Sequence, residues 1–125
     1  MNVPNHLKYT TDHEWVEVAG SKIRVGITDY AQDALGDVVF VQLPQPGSRI
    51  EANASISEIE STKSVNDVYA PFEGVVTAVN ELLNDRPELL NSDPYGDGWI
   101  CEIECTQLSE AGLLDADAYS ALIGG

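Results

Sequence analysis

Lysine is scarce in this chain: only Lys8, Lys22 and Lys63 occur among 125 residues. Lys63 lies within Ser61-Thr62-Lys63-Ser64, with Glu58 and Glu60 ahead of it and Asp67 behind. The small hydroxylated neighbours leave the ammonium group open to an approaching enzyme, so covalent modification of a primary amine is the chemistry this segment could support. A lysine at a turn tip otherwise keeps its rotamer freedom and aids solubility. His13 stands beside Glu14, which suggests an acid–base pair, but adjacent strand residues point to opposite faces. No Ser or Cys motif completes a nucleophilic triad. Asp93-Pro94-Tyr95-Gly96-Asp97-Gly98 lacks the spaced ligands and distal glutamate of a calcium loop and reads as a turn.

The elements that must position these residues are mostly strands. Val16 and Val18, then Ile23, Val25 and Ile27, alternate with polar residues around Ala19-Gly20-Ser21, the pattern of a hairpin. Thr28 or Asp29 can cap a short helix over residues 30–35, with Gly36 ending it at positive φ. Val38 to Leu43 is a β-branched run that stops at Pro44-Gln45-Pro46-Gly47. Strands are expected over 54–60 and 64–70, on either side of the Lys63 tip, and again over 74–79 and 99–104. Pro87 divides 80–91 into short helical turns. Asp115 can cap a C-terminal helix over 115–123, and residues 1–6 are expected to be mobile. His6 falls in that segment.

An internal echo organises the strands. Val41-Gln42-Leu43-Pro44-Gln45-Pro46-Gly47 and Val68-Tyr69-Ala70-Pro71-Phe72-Glu73-Gly74 share V-x-[L/A]-P-x-x-G, 27 residues apart, with Lys63 between them. In each copy a strand meets a proline that cannot donate to a ladder, then a glycine suited to a tight turn. The fold expected is mainly β: a single domain over 1–125, a flattened barrel or sandwich of two small antiparallel sheets facing each other, with short helices.

Charge excludes several classes of function. Six Lys and Arg against 21 Asp and Glu give a net charge of −15, which repels phosphate backbones and anionic bilayers. No nucleic acid and no membrane surface is expected as partner, and the self-repulsion suits a monomer. The longest apolar run, Val38-Val39-Phe40-Val41, is far short of a span of about 20 residues, and the N-terminus has no signal-peptide pattern. Cys101 and Cys105 on one strand would stand about 13 Å apart, beyond disulfide reach. Two unpaired thiols indicate a reducing compartment, for which the cytoplasm is the simplest address.

Glu60-Ser61-Thr62-Lys63-Ser64 with Asp67-Val68-Tyr69-Ala70-Pro71 and Gly74 resembles the attachment hairpin of lipoyl carriers. His13-Glu14-Trp15-Val16, Gly26-Ile27-Thr28-Asp29-Tyr30-Ala31, Leu35-Gly36-Asp37-Val38-Val39, Leu43-Pro44 with Gly47, and Asn91-Ser92 with Pro94-Tyr95-Gly96 and Gly98-Trp99 narrow the match. Together, in order and from about Leu7 to the final helix, they resemble the H-protein family of the glycine cleavage system. The resemblance implies a lipoyl-domain-like barrel-sandwich hybrid and a non-catalytic carrier. Lys63 matches the position that bears lipoate in amide linkage.

The partners implied are glycine decarboxylase (P protein), the tetrahydrofolate-dependent aminomethyltransferase (T protein), dihydrolipoamide dehydrogenase (L protein) and a lipoylating enzyme. Glu14 and Asp67 match family positions in a cleft that shields the loaded arm, with Asp12 adjoining them. Thr62 departs from the hydrophobic residue common before the family's lysine. Three other readings compete. A biotin carrier would have methionines flanking the lysine, and the only Met here is residue 1. A 2-oxo acid dehydrogenase lipoyl domain would carry Asp before and Ala after it, within a longer chain. The third is an unmodified acidic interaction module or lipoate relay.

Overall fold

The computed structural model describes residues 1–124. The chain opens with two hairpins. Strand β1 (Lys8–Tyr9) pairs with β2 (Glu14–Ala19), which turns into β3 (Lys22–Ile27), all antiparallel. Gly20 takes φ +67° in the two-residue β2–β3 loop, the left-handed conformation that such a loop requires. Helix α1 (Asp29–Leu35) follows. Thr28 caps it, its side-chain oxygen accepting from Ala31 N, and Gly36 ends it at φ +79°.

Strand β4 (Val38–Gln42) leads through a loop to β5 (Arg49–Ile50), β6 (Ser55–Ser61), β7 (Val65–Tyr69) and β8 (Gly74–Val79). Helices α2 (Leu82–Asp85) and α3 (Leu89–Ser92) flank Pro87, β9 (Cys101–Cys105) returns to the sheet, and α4 (Ala116–Leu122) closes the described chain. Asp115 caps α4 by accepting from Ala118 N at 2.8 Å.

The two antiparallel sheets are unequal. One has six strands in the order β1-β2-β3-β9-β8-β5, and the other has three in the order β4-β6-β7. The sequence echo maps onto this arrangement. Its two copies end β4 and β7, the strands flanking β6, and lead into β5 and β8, which pair with each other in the larger sheet. The two glycines differ, however. Gly47 has φ +87°, whereas Gly74 sits in β8 because the strand beside it leaves no room: a Cβ there would meet the Glu104 carbonyl and lie 2.7 Å from Ile103 Cγ2. Strands β1 and β5 leave no trace in the sequence pattern, since two residues are too few to show alternation.

Val16, Ile23, Val25 and Ile103 of the larger sheet join Val41, Ile59 and Val68 of the smaller one in a single buried cluster. A second cluster, under α4, contains Leu7, Tyr9, Trp15 and Tyr119. Trp15 is core, its indole N–H donating to Pro94 O at 2.8 Å. Trp99 is half-buried, with the Arg24 guanidinium 4.4 Å over its ring. The segment 1–6 has anchors that composition does not reveal. Asn2 N donates to Asp29 Oδ2 at 2.9 Å, and the Tyr95 and Tyr9 hydroxyls donate to the carbonyls of Asn2 and Pro4, each at 2.6 Å.

Cys101 and Cys105 are buried and unpaired on one strand. Burial pushes their thiols up to about 12 and about 11, leaving little of the thiolate needed for redox or metal chemistry. Among the described residues no group of three or more His, Cys, Asp or Glu could hold a metal ion. No helix is long and apolar enough to cross a membrane.

Candidate functional site

The β6–β7 hairpin is tightened at its tip by one hydroxyl. Ser61 N donates to Ser64 O at 2.8 Å, while Ser61 Oγ accepts from Ser64 N at 3.1 Å and Lys63 N at 3.3 Å. Thr62 N donates to Asp37 O at 3.0 Å, fastening the tip to the loop after α1. A serine at the first position of a turn does this because its short side chain reaches the backbone two and three residues on.

The Lys63 side chain is exposed and enters no ion pair among the described residues. It runs alongside Gly36: a Cβ built there would lie 3.2 Å from Lys63 Cε and 3.8 Å from Nζ. Gly36 therefore serves twice, as the positive-φ end of α1 and as an open lane for the lysine methylenes.

A cleft of ≈ 260 Å³ opens beside this tip, between α1, the β1–β2 turn and the smaller sheet. Ile27, Leu35, Ile59 and Val68 give it an apolar lining. Tyr30, Ala31 and Ala34 contribute from α1, and Ser64, Asn66 and Asp67 from the hairpin. Asp12, His13 and Glu14 complete it from the turn. Two alanines three apart on one helical face leave room that larger residues would fill.

Glu14 is only 2% exposed. Its Oε2 accepts from Tyr69 N at 2.6 Å and its Oε1 from Thr10 Oγ1 at 3.1 Å, so one carboxylate ties β2 of the larger sheet to β7 of the smaller. Burial pushes this carboxyl up to about 7, against the lowering effect of those two hydrogen bonds. Near neutrality it can hold a proton or a negative charge, and an ammonium group arriving in the cleft would favour the charged form.

Asp67 is exposed at the rim, and its Oδ1 accepts from Ser55 Oγ at 3.1 Å. It pairs with Glu58 across the hairpin, while its neighbour Asn66 pairs with Ile59. The two carboxylates thus line one cleft without sharing a partner. Asp12 is exposed beside them.

His13 differs from expectation. It is not a strand residue facing away from Glu14; it belongs to the turn, at φ +67°, and lines the same cleft as Glu14. His13 N donates to Thr10 O at 3.2 Å, closing a tight turn whose following residue is left-handed, as in a three-residue hairpin loop. Thr10 stabilises that turn through its hydroxyl, which accepts from Asp12 N and Glu14 N. The α1 face and Asn66 also escaped the sequence reading. Ala31 and Ala34 carry no chemical signature, and only their i, i+3 spacing next to Tyr30 hints at a shared face.

The chain matches the family model described as Glycine cleavage H-protein over residues 7–124. It is 56% identical over 124 residues to a glycine cleavage system H protein of Mycolicibacterium vanbaalenii, covering 95% of each chain. To that of Geobacillus thermodenitrificans it is 49% identical over 124 residues, covering 98% of each. A crystal structure of a glycine cleavage system H protein from Mycobacterium marinum superposes with a TM-score of 0.91 at 42% identity, covering 98% of this chain and 100% of that one. With these sheets, this hairpin and matches spanning nearly its whole length, the chain belongs to the glycine cleavage H-protein family.

Proposed function

We propose that Lys63 is the lipoyl attachment site and that the chain is a non-catalytic carrier, moving an aminomethyl group between enzymes in a bacterial cytoplasm. The observation that carries this reading is an exposed Lys63, unpaired among the described residues, on a pinned hairpin tip, with a cleft partly lined by Ile27, Leu35, Ile59 and Val68 opening one residue away. The residues present fit such a group: Gly36 leaves a lane along the lysine that a Cβ would fill. When attached, lipoate would supply a cyclic disulfide whose cleavage lets one sulfur hold an aminomethyl group between glycine decarboxylase (P protein) and aminomethyltransferase (T protein), the dithiol left after release being the substrate of dihydrolipoamide dehydrogenase (L protein).

The chain's own residues do the rest. The Ser61 turn fixes the root of the arm, so a tethered cargo visits successive sites at high effective concentration. Ile27, Leu35, Ile59 and Val68 exclude water from the cleft. Glu14 holds a cationic amine by a charge-assisted hydrogen bond at a place where the dielectric is low. Asp67 adds negative potential at the rim. Amide formation at Lys63 would take the formal net charge from −15 to about −16, since acylation removes one cation.

Intact mass of protein from a lipoate-replete host tests the reading. A lipoyl increment in the wild type that is absent in Lys63→Ala is the expected result. A biotin increment, or none at all with lipoylating enzyme present, would overturn it.

A further inference from the structure

The His13 ring sits where α4, α1 and the β1–β2 turn converge. Its Nδ1 lies 2.9 Å from the Tyr119 hydroxyl, which lies 2.7 Å from Thr28 Oγ1. Thr28 Oγ1 also accepts from Ala31 N at 3.2 Å, as the cap of α1. Tyr119 stacks on Tyr9 at 4.7 Å, and the His13 ring is 4.8 Å from that of Tyr30. Thr28 and Tyr119 are fully buried, so each of their protons must find an acceptor within the protein.

That requirement orders the chain of hydroxyls. Suppose Nδ1 carried a proton and donated to Tyr119. Tyr119 would then donate to Thr28 Oγ1, and the Thr28 proton would be left without a taker among the described residues. The opposite order satisfies every group: Thr28 Oγ1–H donates to Tyr119 Oη, Tyr119 Oη–H donates to Nδ1, and Thr28 Oγ1 still accepts from Ala31 N. Nδ1 is then the acceptor, so the neutral ring carries its proton on Nε2. Burial also holds His13 below the ordinary imidazole range, which keeps the ring neutral near pH 7. Nδ1 is taken by Tyr119, and Nε2 has no partner among the described residues, on a ring that lines the cleft.

We propose that His13 is a cleft residue whose Nε2–H donates a hydrogen bond to an acceptor on the docked arm, and that Tyr119 of α4 is a positioning residue that fixes this tautomer. The role of His13 toward the arm rests on the carrier reading; the tautomer does not. The C-terminal helix, remote in sequence, is in this way part of the cleft. Left-handed backbone at His13 suits Asn better than most residues, which makes His13→Asn a substitution that keeps the turn while withdrawing the distal N–H.

The test has two arms. Imidazole nitrogen shifts of His13 are read in ¹⁵N-labelled, unlipoylated full-length protein at pH 7.5. The expected result is a protonated Nε2 and an unprotonated Nδ1 in the wild type. Tyr119→Phe, which keeps the stack on Tyr9, should mix the tautomers, and Thr28→Ser should preserve them. A wild-type ring protonated on Nδ1 would overturn the assignment even if Tyr119→Phe fails to fold.

The second arm measures loss of the aminomethyl group from loaded protein in buffer. His13→Asn should speed the loss about three- to tenfold, the range one neutral hydrogen bond supports. Glu14→Gln should speed it as well. Faster loss in Glu14→Gln alone would sink the His13 donor and leave the cleft standing. No change in either variant would sink both.

Discussion

Glu14 and Asp67 approach one cleft from opposite sheets, yet they are different acids. Glu14 is 2% exposed, bonded to a backbone N–H of the other sheet, and pushed up to about 7 by burial. Asp67 is exposed and bonded to a serine hydroxyl on its own hairpin. The same side-chain chemistry therefore stands in two settings: one carboxylate is part of the scaffold and of the cleft wall, and the other lies in solvent at the cleft's mouth. The difference lies in solvation, since a charge-assisted bond strengthens as water is excluded.

The largest effect that would sharpen this contrast is on stability as a function of pH. The Glu14 carboxyl has its folded value near 7 against an ordinary 4.5. Between those values the folded protein holds a proton that the unfolded chain has released, so stability falls as pH rises and the loss is complete above about pH 7. A gap of that size corresponds to about 3 kcal/mol. Glu14→Gln keeps one acceptor, for Tyr69 N, turns an amide NH2 toward the Thr10 hydroxyl, and cannot ionise. Urea denaturation should show the variant gaining about 3 kcal/mol relative to wild type between pH 4 and pH 8. A flat difference would break the contrast, because Glu14 would then be behaving as a solvated acid.

Retention of the aminomethyl group comes next. Glu14→Gln in loaded protein should raise the rate of loss about tenfold or more, the scale of a buried bond to a charged group. Asp67→Asn should raise it less than about fivefold, the scale of an exposed pair. Equal rates in the two variants would mean that burial is not what distinguishes them.

Legibility from sequence followed the same division. The Lys63 tip was readable because turn chemistry is local: Ser61 caps its own turn, and the flanking strands alternate. Thr28 and Gly36 were readable as helix ends for the same reason. The His13-Glu14 corner was not, because a left-handed turn residue interrupts the strand ahead of Glu14 and undoes the alternation argument. Nor does local pattern tell that Tyr119 reaches a residue 106 positions away. The echo located both P-x-x-G corners, but it treated Gly74 as a turn glycine when the constraint is the close approach of Glu104 and Ile103.

Gly36 tests the tip against the cleft at a smaller scale. Gly36→Ala forces a Cβ into backbone at φ +79°, ψ −159° that is essentially reserved for glycine, at a cost of about 1–3 kcal/mol, and crowds Lys63 Cε at 3.2 Å. Thermal unfolding should register that loss with no change in its pH dependence. Lipoylation, followed by intact mass, should slow while retention by already loaded protein holds, because the attachment root moves and Glu14 does not.

The smallest effect belongs to Ser55, the partner of Asp67. Its hydroxyl donates across an exposed hairpin at 3.1 Å, where water replaces it at little cost, so Ser55→Ala should change stability by less than about 0.5 kcal/mol. Retention should also be unchanged within error, because an Asp67 that acts through potential does not need a fixed rotamer. Faster loss in Ser55→Ala would show that the rim carboxylate must be held in place to work, and Asp67 would then stand with Glu14 as a positioned ligand of the amine.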